Sequence, residues 1–286
     1  MFHRGETLEQ LYRSLQKQDF HDFEWLVVDD GSGDDTEKRF EKILREKKTF
    51  SVRYLKTENG GKHRAINLGV REAKGRLFYI VDSDDYLPER ALSEIIRWEK
   101  TIPDETKNQF AGICGVKCFD NGKPIGEIQK EEILDITALQ RPAYGIQGDK
   151  AEVFYLDVLK KYPFPTFEGE KFLTEAVVWD RIAWDGFLLR YVQTPFMICE
   201  YRPDGLSARM AQLNSENTQG YGLYLSQSAA LGKIKGMEKW NSYLEFFYSV
   251  RDVWSFRRIS EVLHESCTKL RTVFLGIRIY NKLTHQ

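Results

Sequence analysis

Three carboxylates fall within four residues at Asp82-Ser83-Asp84-Asp85. Hard divalent cations such as Mg²⁺ and Mn²⁺ take carboxylate oxygens and commonly complete their shells with water and substrate phosphate oxygens. A cation held in this way stabilises the charge that builds on a departing diphosphate. The spacing suits Asp84 as the principal ligand, Asp82 facing the cation or a ribose, and Asp85 assisting. Asp and Ser are also common at turns and helix N-caps, so the tetrapeptide alone is as compatible with a cap as with a cation site. A second acidic cluster, VDDGSGDDT at 28–36, favours the chemical reading.

Both clusters follow short apolar runs. Trp25-Leu26-Val27-Val28 leads into Asp29-Asp30, and the run 77–81 leads into Asp82. Such runs, bounded by turn residues, predict buried strands. A further strand is expected at 52–55. Helices are expected at 6–18, where Leu8, Leu11, Tyr12 and Leu15 follow the i, i+3, i+4, i+7 spacing, and at 36–47 and 62–73. Another is marked by Leu92, Ile95 and Ile96. Alternating strands and helices predict an α/β fold with a mostly parallel, Rossmann-like sheet, in which ligands bind at the carboxyl ends of the strands. Beyond residue 110 the pattern loosens, with strands expected at 111–116, 151–154, 188–193 and 196–202. From about 210 the chain reads as helical. The expected division is a domain at 1–209 and a helical extension at 210–286.

The 286 residues suffice for a large domain plus an appendage, and 42% hydrophobic content supports a packed core. A net charge of −1 argues against a nucleic-acid partner recognised through overall charge. Cys114, Cys118, Cys199 and Cys267 form no CxxC pair and read as free thiols of a reducing compartment. The chain has no signal-peptide pattern and no apolar run of 18 residues. The expected location is the cytoplasm, with a peripheral place on the inner face of the membrane as a variant.

Three segments, WLVVDDGSGDDT at 25–36, NGGKHRAINLG at 59–69 and GRLFYIVDSDDYLPERAL at 75–92, resemble in order and spacing the family 2 inverting glycosyltransferases with the GT-A fold. The resemblance is strong over roughly the first 100 residues and weak to about residue 210. It implies transfer of a sugar from a nucleotide diphosphate donor, with UDP as the expected nucleotide and Mn²⁺ or Mg²⁺ as cofactor. The implied acceptor is a glycan or a lipid-linked glycan of the cell surface. By the same resemblance, Asp30 would accept a hydrogen bond from uracil and Lys62 would lie near the nucleotide or its phosphates. His63 is equally a helix-surface residue, and Asn67 a structural one. Inversion requires a carboxylate to take the acceptor hydroxyl proton. Glu175 is expected in that role, four residues before Trp179, with Asp180 as runner-up. Ala176 stands where many members carry a second acid. Glu168 and Glu170 are expected to shape the acceptor loop, and Arg202 and Arg209 to meet phosphates.

The resemblance also has a departure. The apolar strand that opens relatives is missing, Phe2 falls where their nucleoside-contacting aromatic lies, and a longer natural chain is the expected explanation. Residues 257–286 carry Arg257, Arg258, Lys269, Arg271, Arg278 and Lys282 against Glu261 and Glu265, with apolar residues interleaved. Such a stretch either packs on the protein with a solvated basic face or lies on an anionic membrane. Two other functions compete. A sugar nucleotidyltransferase would carry a Gly-rich basic loop near its start, which is not found. A non-catalytic carbohydrate-binding relative stays open.

Overall fold

The computed structural model describes residues 5–199 and 209–284. The chain divides into two compact units, Met1–Phe164 with Val178–Gly205, and Pro165–Val177 with Leu206–Gln286.

The first unit opens with helix α1 (Gly5–Gln16), whose Leu8, Leu11, Tyr12 and Leu15 are all buried, as the spacing predicts. Strand β1 (Glu24–Asp29) pairs in parallel with β2 (Ser51–Lys56), and α2 (Thr36–Arg45) makes the crossover between them. Phe40 and Ile43 of α2 join the α1 residues and Val27 in one apolar cluster. Helix α3 (Lys62–Glu72) follows β2, and β3 (Leu77–Tyr79) and β4 (Asp85–Tyr86) flank the second acidic turn. A Cβ on Gly69 of α3 would sit 3.3 Å from the Phe78 ring and 3.9 Å from Val28. This glycine therefore lets α3 pack closely over β1 and β3, which carry the two acidic turns.

Helix α4 (Ala91–Glu99) leads to β5 (Phe110–Cys118), β6 (Ile133–Ile136), β7 (Lys150–Tyr155), which the short helix α5 (Leu156–Leu159) follows, and β8 (Leu188–Cys199). These strands form a six-stranded sheet in the order β3-β7-β5-β8-β4, with β6 also on β8. Its core holds Ile95 and Trp98 of α4 against Ile113, Val153, Val192 and Phe196. The α/β class stands, yet the strands are less parallel than the sequence predicts. Parallel pairing joins β1 to β2 and β5 to β8, whereas β3–β7, β4–β8, β5–β7 and β6–β8 are antiparallel. Parallel neighbours need a crossover of a dozen residues or more, usually a helix. The βα alternation read at the start of the chain does not continue past α4. Among the described residues, no ladder joins β1–β2 to the six-stranded sheet.

The third strand ends at Tyr79 rather than at 81. The two strands expected at 188–193 and 196–202 are one, β8, through to Cys199. Pro195 does not break it because the β5–β8 register shifts on both sides of the Val116–Pro195 pair. An irregular register tolerates the missing N–H of proline.

In the second unit, α7 (Met210–Glu216), α8 (Thr218–Ala230), α9 (Gly236–Val250), α10 (Phe256–Val262) and α11 (Cys267–Thr284) surround a core of Leu225, Tyr243, Phe246, Val250, Ile259 and Leu270. Phe274 and Ile277 of α11 belong to the same core, so part of the apolar side of the basic tail is used within the unit. Arg271, Leu275, Arg278 and Ile279 remain exposed. No helix among the described residues is long and apolar enough to cross a membrane. Segment 165–177 is tied to this bundle. The Glu170 carboxylate accepts from Gln219 N at 2.6 Å and Gly220 N at 2.8 Å, which caps α8. Asn217 Oδ1 accepts from the backbone N of Lys171 and Phe172. Glu170 is thus anchored as a helix cap.

Candidate active site

The first acidic turn is held by its own second carboxylate. Asp30 is 4% exposed, and its Oδ1 accepts from Gly60 N while Oδ2 accepts from Gly61 N, each at 2.8 Å. Asn59 Nδ2 adds a third bond at 3.1 Å. Asp30 therefore organises the loop that begins α3, an engagement the sequence motif did not reveal. Gly31 makes the approach possible. Its φ is +76°, and a Cβ there would lie 2.6 Å from Asn59 N. Gly61, at φ +95°, then turns the chain into α3. Asp29, fully buried, accepts from Ser32 N at 2.9 Å and from the Tyr54 hydroxyl at 2.5 Å.

The loop fixed by Asp30 delivers Lys62, the first residue of α3, to the second acidic turn. Lys62 Nζ lies 2.7 Å from Asp82 Oδ1 and 2.8 Å from Oδ2. Burial alone would raise the Asp82 carboxyl, but Lys62 and then Lys117 outweigh it and hold Asp82 below the usual range. Asp85 N donates to Asp82 O at 3.0 Å and closes the turn. Asp84 is half-buried within it. Asp85 has a different environment, in β4 and 8% exposed. Burial, reinforced by the neighbouring Asp82 charge, pushes its carboxyl up to about 6, and the Cys199 thiol donates to it.

His63 is buried, contrary to the expectation of a helix-surface histidine, because it faces inward with Ala65 and Ile66. Its Nδ1 has no hydrogen-bond partner, and burial lowers its imidazole to about 4. Asn67 clamps the backbone of Phe164 through both amide atoms, at 2.9 and 2.8 Å.

The first unit thus brings together Asp30, Lys62, Asp82, Asp84 and Asp85. Glu175 is in the second unit, half-buried immediately before α6 (Ala176–Trp184). Asp180, the runner-up for that role, is buried within α6, at 6% exposure. Trp179 packs on Phe154 and Phe164. Phe2 and Arg202 lie outside the described residues. Arg209 Nε donates to Gln212 Oε1 at 3.4 Å. Sequence reasoning missed Lys117 and Cys199 beside the acidic turn, because long-range strand pairing brings them there.

Among the described residues, no group of three or more His, Cys, Asp and Glu is arranged to hold a metal ion. Asp82 is engaged by Lys62 and Asp85 by Cys199. This donor set fits a cation that shares its shell with substrate phosphates, rather than an all-protein cage.

The model of glycosyl transferase family 2 matches residues 1–105. Poly(ribitol-phosphate) beta-N-acetylglucosaminyltransferase TarS of Staphylococcus aureus is 39% identical over 95 residues, 32% of this chain and 16% of that protein. GalNAc(5)-diNAcBac-PP-undecaprenol beta-1,3-glucosyltransferase of Campylobacter jejuni is 34% identical over 100 residues, 34% of this chain and 31% of that protein. The matches thus span less than a third of these relatives' own length. The structure of S. aureus TarS in complex with UDP-GlcNAc superposes with a TM-score of 0.57 at 20% identity, over 96% of this chain and 89% of that one. That likeness supports the fold. Over its first 105 residues the chain is similar to glycosyl transferase family 2.

Proposed function

We propose that the protein transfers a hexose or N-acetylhexosamine from a UDP-linked donor to a glycan or lipid-linked acceptor in cell-surface polysaccharide synthesis, with inversion at the anomeric carbon. The observation that carries this reading is the Lys62–Asp82 pair beside Asp84, at the turn between β3 and β4. A site for a nucleotide diphosphate needs both an ammonium group and carboxylates, and this pair supports that reading.

In this reading Lys62 steadies the donor phosphates and Asp82 orients Lys62 and the ribose. Asp84, assisted by Asp85, would hold Mn²⁺ or Mg²⁺, which stabilises charge on the leaving diphosphate when bound. Glu175 takes the proton of the acceptor hydroxyl as its oxygen attacks the anomeric carbon. The bond from that carbon to the phosphate oxygen breaks, and the nucleoside diphosphate leaves with the electron pair. Asp30 supports the nucleotide side of the site through the 59–61 loop. TarS, by its name an N-acetylglucosaminyltransferase, and the C. jejuni protein, by its name a glucosyltransferase on an undecaprenol-linked glycan, support the donor and acceptor classes. A peripheral membrane contact, if the acceptor is lipid-linked, would use the exposed Arg271, Leu275, Arg278 and Ile279.

The test is turnover of a panel of UDP-sugars with Mn²⁺, in the wild type and in Asp84→Asn. UDP release that the substitution abolishes supports the proposal. Pyrophosphate release would instead favour a sugar nucleotidyltransferase, and sugar binding without turnover a non-catalytic relative.

A further inference from the structure

Lys117 lies on β5, half-buried, on the sheet that carries the acidic turn. The register places it closely. Lys117 pairs with Met197 of β8, and Cys118 with Ile198, which pairs on its other side with Tyr86 of β4. In the next row, Asp85 pairs with Cys199. Side chains alternate between faces along a strand, so Lys117, Met197, Cys199 and Asp85 share one face across β5, β8 and β4. Lys117 has no carboxylate within ion-pair distance among the described residues. Its charge instead acts across space on Asp82, Cys199, Glu152 and Asp85. Glu152 already has Arg141 at 3.8 Å.

The turn therefore sets three carboxyl groups, Asp82, Asp84 and Asp85, against two ammonium groups, Lys62 in contact with Asp82 and Lys117 acting on Asp82 and Asp85 across space. A divalent cation arriving alone meets carboxylates whose charge is largely compensated, and the repulsion of two fixed positive charges. A diphosphate supplies the missing negative charge and further oxygen ligands.

We propose that Lys117 is a positioning residue that makes cation binding at the 82–85 turn depend on a nucleoside diphosphate, so that metal and nucleotide enter as one complex. This rests on the glycosyltransferase reading of the site. Lys117 touches neither reactant. It acts by compensating the carboxylates that a free cation would otherwise occupy.

Mn²⁺ binding to the full chain, followed by the loss of the free-ion electron paramagnetic resonance signal, tests this without turnover. The titration uses wild type, Lys117→Met and Lys117→Arg, each with and without UDP. In the wild type Mn²⁺ binds weakly alone, and UDP tightens it. Lys117→Met, which keeps length and removes charge, binds Mn²⁺ alone about tenfold more tightly, and the gain from UDP shrinks by the same factor. Lys117→Arg behaves as wild type. A purely structural lysine would lower the melting temperature of Lys117→Met and leave the Mn²⁺ affinity unmoved, and that result overturns the inference. Should Lys117→Met not fold, Lys117→Gln is read in its place. A wild type that binds Mn²⁺ equally well with and without UDP overturns it independently. Failure of the wild type to bind UDP with Mn²⁺ at all would overturn the site reading itself, a different outcome from an unmoved Lys117→Met.

Discussion

Replacing Asp30 by alanine removes an acceptor on which three donors converge. Gly60 N and Gly61 N lie at 2.8 Å and Asn59 Nδ2 at 3.1 Å from its oxygens, at a residue only 4% exposed. A buried donor left without an acceptor costs about 1–3 kcal/mol. Three donors, with some relief from water entering the space left by the carboxylate, give a loss of about 3–5 kcal/mol. Asp30→Asn retains one oxygen acceptor but turns an NH₂ toward another donor, so its loss is about half as large. Urea denaturation followed by tryptophan fluorescence gives both numbers as shifts in the transition of the first unit. The prediction separates two kinds of residue. One whose only task is to receive a nucleobase would leave stability within about 0.5 kcal/mol of wild type. That result would refute the assignment of Asp30 to the loop that delivers Lys62. With the loop released, UDP affinity is expected to fall as well, because Lys62 loses its fixed place beside Asp82.

Three further outcomes follow from the structure. Burial holds the His63 imidazole at about 4, against about 6.5 in an unfolded chain. The unfolded state then takes up the proton first, so stability is unaffected above pH 6.5 and is lost as pH falls from 6.5 toward 4. The loss attributable to His63 is about 2 kcal/mol after allowance for solvent screening, and denaturation across that window in wild type and His63→Gln checks it. Glu175→Gln is expected to lower kcat by about 10²–10⁴-fold, the range of general-base catalysis, while calorimetry shows UDP affinity within twofold of wild type. If the exposed residues of α11 meet lipid, Leu275→Ser with Ile279→Ser lowers flotation with anionic vesicles at low salt, and equal flotation would exclude that surface.

Much of the site was legible in the sequence where local pattern governs. The spacing of Leu8, Leu11, Tyr12 and Leu15 gave α1 and its buried face. The apolar runs before Asp29 and Asp82 gave the strands that end in the acidic turns. The close approach of Gly31 to Asn59 had no reading in the sequence beyond a polar turn. What escaped depends on distant pairing. Strand β4 is two residues long and exists because β8 pairs with it, Tyr86 facing Ile198 in a far later part of the chain. Lys117 and Cys199 reach the acidic turn by the same pairing. The antiparallel ladders of β7 with β3 and β5 carry no mark that distinguishes them from parallel ones in short apolar runs. The gap expected between strands at 188–193 and 196–202 holds Pro195, which the shifted register against β5 accommodates within one strand. Glu170 looked like a loop carboxylate because its partners, the first amides of α8, lie 49 and 50 residues away.

The central claim is that the turn at 82–85 serves a metal-assisted transfer from a UDP-sugar. Its most direct measurement is UDP release from a panel of UDP-sugars with Mn²⁺, compared between wild type and Asp84→Asn after both are shown to have the same melting temperature. The account predicts release by wild type with at least one donor, loss of that release on chelation of the metal, and a fall of about a hundredfold or more in Asp84→Asn. Equal release by the two proteins, with undiminished turnover in the presence of chelator, would contradict it.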